Sequence, residues 1–284
     1  MYAVGATGKA HALDKRTGKV VWARDLWGEM GGQVMGRGYS WSPIAYGDTV
    51  ILALGGRGQA LAAFGLKDGS LRWKRHDFDL APSSPLIIDV DGQEQLVVFH
   101  ADGIAGLDPA GGPLYWSHPH ETQYGLNIST PVWGEGNLLF CSSAYTGGSR
   151  MLRLSRSGGK TSVTELWYTS KMRIHIGNAL RLGGYVYGSS GDFGPAFVTA
   201  VDVGTGQVAW QDRAFSKASF VHADGKAVVV DEDGNLALAT LSPTGLTVHS
   251  RADVLSTRAW TVPTLVGTKL YVRDRAEIKA FDLS

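Results

Sequence analysis

Hydrophobic and polar positions alternate along this chain in short runs, and the runs come in pairs joined by tight turns. In TAVDVGTGQVAW (Thr199 to Trp210) two alternating segments flank Asp202 to Gly206. Period-two alternation marks half-buried strands, and a turn built on Asp and Gly marks a hairpin. Gly206 reaches φ > 0 at no steric cost, and Asp202 can hydrogen-bond its own turn. The pattern recurs as HALDKRTGKVVW, AAFGLKDGSLRW and AGLDPAGGPLYW, closed by Trp22, Trp73 and Trp116. LRLSRSGGKTSVTELW is a longer copy ending in Trp167. LATLSPTGLTVH keeps the turn but sets Val248 or His249 where tryptophan is expected, and IKAFDLS ends at the start of a seventh turn.

A second marker interleaves with the first: a short apolar strand followed by an acidic-Gly or Gly-Gly turn. Its turn glycines are Gly47, Gly92, Gly136, Gly183, Gly225 and Gly267, spaced 42 to 47 residues apart. Two independent markers sharing one period define a repeat, and four strands per roughly 40–45 residues is the spacing of β-propeller blades. The expectation is therefore an all-β, single-domain propeller over residues 1–284, with four-stranded antiparallel blades. With strands labelled A to D in chain order within each blade, five blades are complete. The N-terminal piece supplies B, C and D, and the C-terminal piece A, B and C. Seven blades with two short ones is the preferred count. Six with a merged terminal blade, or a natural chain that extends further upstream, are the alternatives.

Composition narrows the function. Lys and Arg number 27 and Asp and Glu 26, interspersed, so no basic stripe points to nucleic acid or a membrane surface. Cys141 is the sole cysteine, which excludes an intrachain disulfide and a cysteine-rich metal cage. No apolar run approaches the roughly 20 residues of a membrane span. The first residues read as strand and turn rather than as a signal peptide, which fits a mature, a truncated or a cytoplasmic chain equally.

The pattern A-L-D-x-x-T-G-x-x-x-W at Ala12 to Trp22, matched by AVDVGTGQVAW, resembles the pyrroloquinoline-quinone-like (PQQ-like) propeller repeat. That repeat occurs in quinoprotein alcohol dehydrogenases and in the lipoprotein of the outer-membrane β-barrel assembly machine. The resemblance implies that Trp22, Trp73, Trp116, Trp167 and Trp210 dock between neighbouring blades. It also implies a bacterial periplasmic or extracellular setting. It raises pyrroloquinoline quinone and a divalent cation as cofactors, yet the adjacent cysteines of the dehydrogenases are missing, and no Glu, Asn and Asp set for calcium aligns. The resemblance thus favours the scaffold over the dehydrogenase apparatus.

The segments leading into strand A line one mouth of a propeller channel, and here they are rich in functional groups. Arg37, Arg173, Lys217 and Arg258 are cations, while Tyr39, Trp41, Tyr124 and Trp260 are aromatic surfaces. Ser84, Asn127 and Asn178 add hydrogen-bonding groups. Cations fix charge, aromatics stack and amides orient, so this rim is the candidate site for a small anionic, planar or sugar-like ligand or for a protein partner. The plainer account is that Ser-Pro and Thr-Pro start strands and the cations are solvated. An enzyme on the same rim, a hydrolase or lyase, would use His175 for proton transfer, with Asp192 and His222 as its acid/base partners. His118 and His120, and the turns DVDGQE (Asp89 to Glu94) and DEDGN (Asp231 to Asn235), are weaker metal signals that also fit a blade edge and ordinary hairpin turns.

Overall fold

The computed structural model describes residues 1–33, 36 and 38–284. Strands follow the alternating runs, and neighbours pair in chain order within seven sheets. Sheet 1 holds β1 (Tyr2–Val4), β2 (Lys9–Leu13) and β3 (Val20–Asp25). Sheet 2 holds β4 (Ile44–Tyr46), β5 (Thr49–Ala53), β6 (Leu61–Gly65) and β7 (Leu71–Arg75). Sheet 3 holds β8 (Leu86–Val90), β9 (Gln93–His100), β10 (Gly103–Leu107) and β11 (Leu114–Pro119). Sheet 4 holds β12 (Val132–Gly134), β13 (Leu138–Ser143), β14 (Gly148–Ser157) and β15 (Lys160–Thr169). Sheet 5 holds β16 (Ile174–Leu182), β17 (Tyr185–Ser190), β18 (Phe197–Asp202) and β19 (Val208–Asp212). Sheet 6 holds β20 (Ala218–Ala223), β21 (Lys226–Asp231), β22 (Asn235–Ser242) and β23 (Gly245–Asp253). Sheet 7 holds β24 (Thr264–Val266), β25 (Lys269–Arg273) and β26 (Ile278–Asp282). The fold is a seven-bladed β-propeller with five four-stranded blades and a three-stranded blade first and last. Among the described residues no helix is long and apolar enough to cross a membrane.

Contacts divide the chain into two compact units, Met1–Pro131 with Leu154–Val163, and Val132–Arg153 with Thr164–Ser284. The far ends of β14 and β15 join the first unit through specific bonds. The Arg156 N–H reaches Asp91 at 2.8 Å, and the Gln95 amide reaches Thr161 at 2.8 Å. Each unit is built from sheets packed face to face. In the first, Ala10, Ala12, Trp22, Val50 and Phe64 fill the space between sheets 1 and 2. In the second, Phe140, Trp167, Val186 and Val201 fill that between sheets 4 and 5, and Val198, Phe220, Val229 and Ala239 that between 5 and 6.

The repeated hairpin is a fastener. Asp202 accepts hydrogen bonds from the N–H groups of Gly204 and Thr205 at 3.0 and 2.8 Å and from the Thr205 hydroxyl at 2.9 Å. Asp14 does the same with Arg16 and Thr17, and the Thr17 N–H first among these bonds holds the Asp14 carboxyl below its ordinary range. The tryptophan then crosses to the next sheet. Trp22 donates to the Leu66 carbonyl at 3.0 Å, Trp167 to that of Val203 at 2.8 Å, and Trp210 to that of Ser242 at 2.9 Å. Trp116 donates instead to Gln95 of its own sheet at 2.7 Å. The turn glycine is required twice over: Gly206 has φ +70°, and a Cβ there would lie 2.5 Å from the Trp167 ring.

Sheet 6 corrects the expected register. A bulge between Leu238 and Ala239 places Ser250, not Val248 or His249, opposite the position that faces tryptophan elsewhere. The β22–β23 ladder runs on to Ser242 and Gly245, so the hairpin is longer than those of sheets 1, 2, 3 and 5, and the bulge falls one pair farther from the turn than sequence alignment implies.

Candidate functional site

In each meander the lead-in to strand A and the turn between strands B and C lie at the same end of the sheet. The sequence pattern exposes only the lead-ins; the B–C turns supply the rest of the rim.

In the first unit most of the selected residues are built into the structure. The Tyr39 hydroxyl accepts the Ala53 N–H at 3.0 Å, and burial pushes the phenol's pKa upward against that bond. Trp41 is 2% exposed, in the cluster between sheets 2 and 3. The Ser84 hydroxyl receives the Ser42 N–H at 3.1 Å, tying two successive lead-ins together. Asn127 is fully buried, and its amide donates to the carbonyls of His100, Ala101 and His120 at 2.6–3.3 Å. A buried amide committed to three carbonyls serves the backbone and cannot also orient a ligand. Tyr124 is exposed, and Arg37 lies outside the described residues.

The second unit gathers its selected residues into two groups. In the first, β16 bulges: Ile174 pairs with Ser190 and Ala179 with Gly188, so His175 to Asn178 loop out between them. Asn178 uses the bulge to reach sheet 6, exchanging hydrogen bonds of 2.8 Å with both the N–H and the carbonyl of Phe220. His175 Nε2 shares a hydrogen bond with the Tyr145 hydroxyl, and the rings meet edge to face at 4.9 Å. Tyr145 and Thr146 form a B–C turn with φ of 50° and 75°, left-handed values that favour glycine and cost energy in other residues. Asp192 does not orient His175; it pairs with Arg173 at 3.4 Å and accepts the Phe193 N–H at 3.0 Å. His222 is exposed beside the turn to β21, at the end of sheet 6 opposite the lead-ins. The three residues selected as an acid/base set are therefore not brought together.

The second group centres on Glu232, in the B–C turn of sheet 6. Lys217 approaches it at 3.4 Å, Arg258 at 3.3 Å, and the Trp260 indole N–H donates to it at 3.0 Å. Arg258 also pairs with Asp233 at 2.9 Å. Trp260 remains 43% exposed, and the Arg275 guanidinium lies 4.7 Å from its ring centre. Asp231, 2% exposed, shapes the turn by accepting the N–H groups of Asp233 and Asn235 at 3.1 and 3.0 Å. Asp274 shapes the next turn. Burial opposes its charge, but N–H groups from Glu277, Ala276 and Thr257 prevail and hold its carboxyl well below the usual range. Shallow depressions of about 480 and 410 Å³ flank Glu232, one reaching Thr257 and Arg275, the other Arg213 and Asn235.

Arg275, Tyr145 and Phe193 are not among the residues selected from the sequence, and Glu232 and Asp233 figure there only within the DEDGN turn, as a metal signal and not as part of the rim. The signal available was the repeat register itself, which aligns Glu232 with Arg275 as the residue after the turn aspartate. Each cation selected in this unit has a carboxylate partner, so the site is a mosaic of paired charges around an exposed indole. The weaker metal signals are structural. Asp89 caps its turn through the Gly92 N–H at 2.9 Å, and His120 is buried edge-on to Phe99 at 4.9 Å. Among the described residues no three His, Cys, Asp or Glu side chains are placed to hold a metal.

Residues 1–212 match the family described as outer membrane protein assembly factor BamB. The chain belongs to that family. Among solved structures, BamB from Moraxella catarrhalis is 20% identical with a TM-score of 0.70, covering 98% of this chain and 80% of its own. The quinohemoprotein alcohol dehydrogenase of Comamonas testosteroni is 14% identical with a TM-score of 0.59, and the chain spans 60% of its length and is itself 95% covered. The dihydro-heme d1 dehydrogenase NirN is 11% identical with a TM-score of 0.61, with 99% of this chain and 60% of that one covered. At these identities the likeness shows the fold alone. No curated protein matches the chain. The residues present do not fit pyrroloquinoline quinone with its cation as the dehydrogenases hold them. Cys141 is fully buried with its thiol pKa pushed up by burial, and no converging carboxylate set exists among the described residues.

Proposed function

We propose that this chain is a protein-binding propeller acting in outer-membrane protein assembly, with its partner docking on the second unit's rim at Trp260, Arg258, Arg275 and Phe193. The observation that carries this reading is Trp260. Its indole N–H is pinned by Glu232 and one flank lies against Arg275, yet 43% of the residue is exposed. An aromatic held rigidly in its exposed position loses little entropy on binding, and Trp and Arg dominate interface hot spots. Phe193, 77% exposed beside Tyr145, supplies a second apolar anchor. The paired charges support a polar interface rim over a pocket that must attract an isolated anion. The description of the family as an assembly factor agrees with a role in holding other proteins.

The test places a photo-crosslinking benzoylphenylalanine at Phe193, identifies the adduct, and measures the affinity of the identified partner for wild type and for Trp260→Ala. The expected loss is about 2 kcal/mol, roughly thirtyfold, with an unchanged unfolding midpoint. An affinity unaffected by Trp260→Ala defeats the proposal.

A further inference from the structure

The pairing of charges around Glu232 leaves two arginines out. The depression of about 410 Å³ on the sheet 5 side of Glu232 is bounded by Gly194 to Ala196 in the B–C turn of sheet 5 and by Arg213 to Ser216 in the lead-in to sheet 6. The B–C turn of sheet 6 and Arg251 of β23 complete it. Its walls thus belong to sheets 5 and 6, which both have four strands. The carboxylates in these walls are committed elsewhere. Asp231 accepts the N–H groups of its own turn, Glu232 holds Lys217, Arg258 and Trp260, and Asp233 holds Arg258. Arg213 and Arg251 are exposed, and among the described residues neither guanidinium has a carboxylate partner.

Each of the two is instead carried on an aromatic ring. The Arg213 guanidinium carbon lies 4.6 Å from the centre of the Phe197 ring, and that of Arg251 lies 4.3 Å from the centre of the Phe215 ring. Phe215 is 3% exposed and gives Arg251 a fixed support, and one N–H of Arg251 also donates to the Ala214 carbonyl. Attraction to the ring face holds a guanidinium in place while its in-plane N–H groups stay available, so little side-chain freedom is lost when an anion binds.

Two guanidinium groups that share one concavity without a counter-ion repel each other, and an oxyanion set between them replaces that repulsion with attraction. Bidentate N–H···O pairing is the geometry in which arginine takes a carboxylate. The buried Ser216 hydroxyl in the same wall has no hydrogen-bond partner among the described residues, a further donor at the same place. The volume lies within the range of small-ligand pockets.

We infer that this depression is an oxyanion site that takes a carboxylate between Arg213 and Arg251, whether the carboxylate belongs to a free small molecule or to an acidic side chain of another polypeptide. Neither arginine is among the anchors proposed above for the docked protein, so the site stands or falls independently of them.

The experiment follows the side-chain Nε–H resonances of Arg213 and Arg251 in the whole chain, assigned by Arg213→Lys and Arg251→Lys. The chain is titrated with glutarate, with the peptide acetyl-AAEAA-amide and with its glutamine counterpart acetyl-AAQAA-amide, against sodium chloride at matched ionic strength. Saturable shifts with glutarate or with the glutamate peptide are expected, larger than those from chloride. Arg213→Gln, read at Arg251, should weaken binding about tenfold, the loss of one charge-assisted contact. Arg213→Lys keeps the charge but not the planar fork and should weaken it by less. Tighter binding of glutarate identifies a free small carboxylate as the source, and tighter binding of the glutamate peptide an acidic side chain; either result supports the site. Shifts that saturate with neither carboxylate, that chloride or the glutamine peptide reproduces, or that persist at full affinity in Arg213→Gln overturn it.

Discussion

Gly206→Ala isolates the physical reason for the repeated Thr-Gly turn. The substitution forces alanine into φ +70° and drives its methyl to within 2.5 Å of the Trp167 ring carbon it would meet. The left-handed conformation costs an L-residue roughly 1–2 kcal/mol. Overpacking against a buried ring adds roughly 1–3 kcal/mol, since Trp167 is only 9% exposed and is held by the Val203 carbonyl. Trp167→Ala alone should cost about 3–5 kcal/mol through the cavity it leaves and the carbonyl it orphans. In the double variant the steric part vanishes because the ring is gone, while the backbone part stays. A double-mutant cycle by urea unfolding should therefore return less than the sum of the single effects, by about 1–3 kcal/mol, with m unchanged. A cycle additive to within about 0.5 kcal/mol would refute the claim that glycine is there to admit the indole.

His100 is stacked on Phe78 at 4.7 Å, and burial lowers its pKa below the ordinary 6.5 despite the charge of Asp102. The unfolded chain therefore takes up this proton first, and the contribution is lost as pH falls below about 6.5 toward the folded value. Urea midpoints at pH 7.5 and 5.5 should converge in His100→Phe relative to wild type; an unchanged difference argues against it. Cys141 is fully buried in β13 with its thiol pKa raised, so thiolate is scarce and inaccessible. Ellman's reagent should detect no thiol in the native chain and one in denaturant; rapid native reaction would contradict this placement.

The hairpins and their spacing are legible because each depends on residues close in sequence, whereas the docking of Trp22, Trp167 and Trp210 on carbonyls 32 to 44 residues away is legible only through the resemblance of the repeat. The Asp202 turn closes within five residues and carries its own signal in type and order. The rim is legible only in part. Glu232 gathers Lys217, Arg258 and Trp260 from 15 to 28 residues away, and no local pattern distinguishes it from a turn carboxylate. Asn127 and Asn178 read as ligand groups because polar residues at strand ends are ambiguous. Passing from one sheet to the next leaves main-chain carbonyls and N–H groups unpaired, and both amides satisfy them. Ser250 shows the other limit: a one-pair shift of a bulge is invisible in the sequence yet decides which side chain faces the next sheet.

The fasteners of Trp22, Trp167 and Trp210 end on the carbonyls of Leu66, Val203 and Ser242, three residues with unlike side chains. Recognition between neighbours is thus addressed to a main-chain carbonyl and to the turn glycine that leaves room for the ring, Gly69 for Trp22 and Gly206 for Trp167. The acceptor residue can change its side chain without loss of the joint so long as that glycine stays, so the joints are interchangeable among repeats that share little besides the turn.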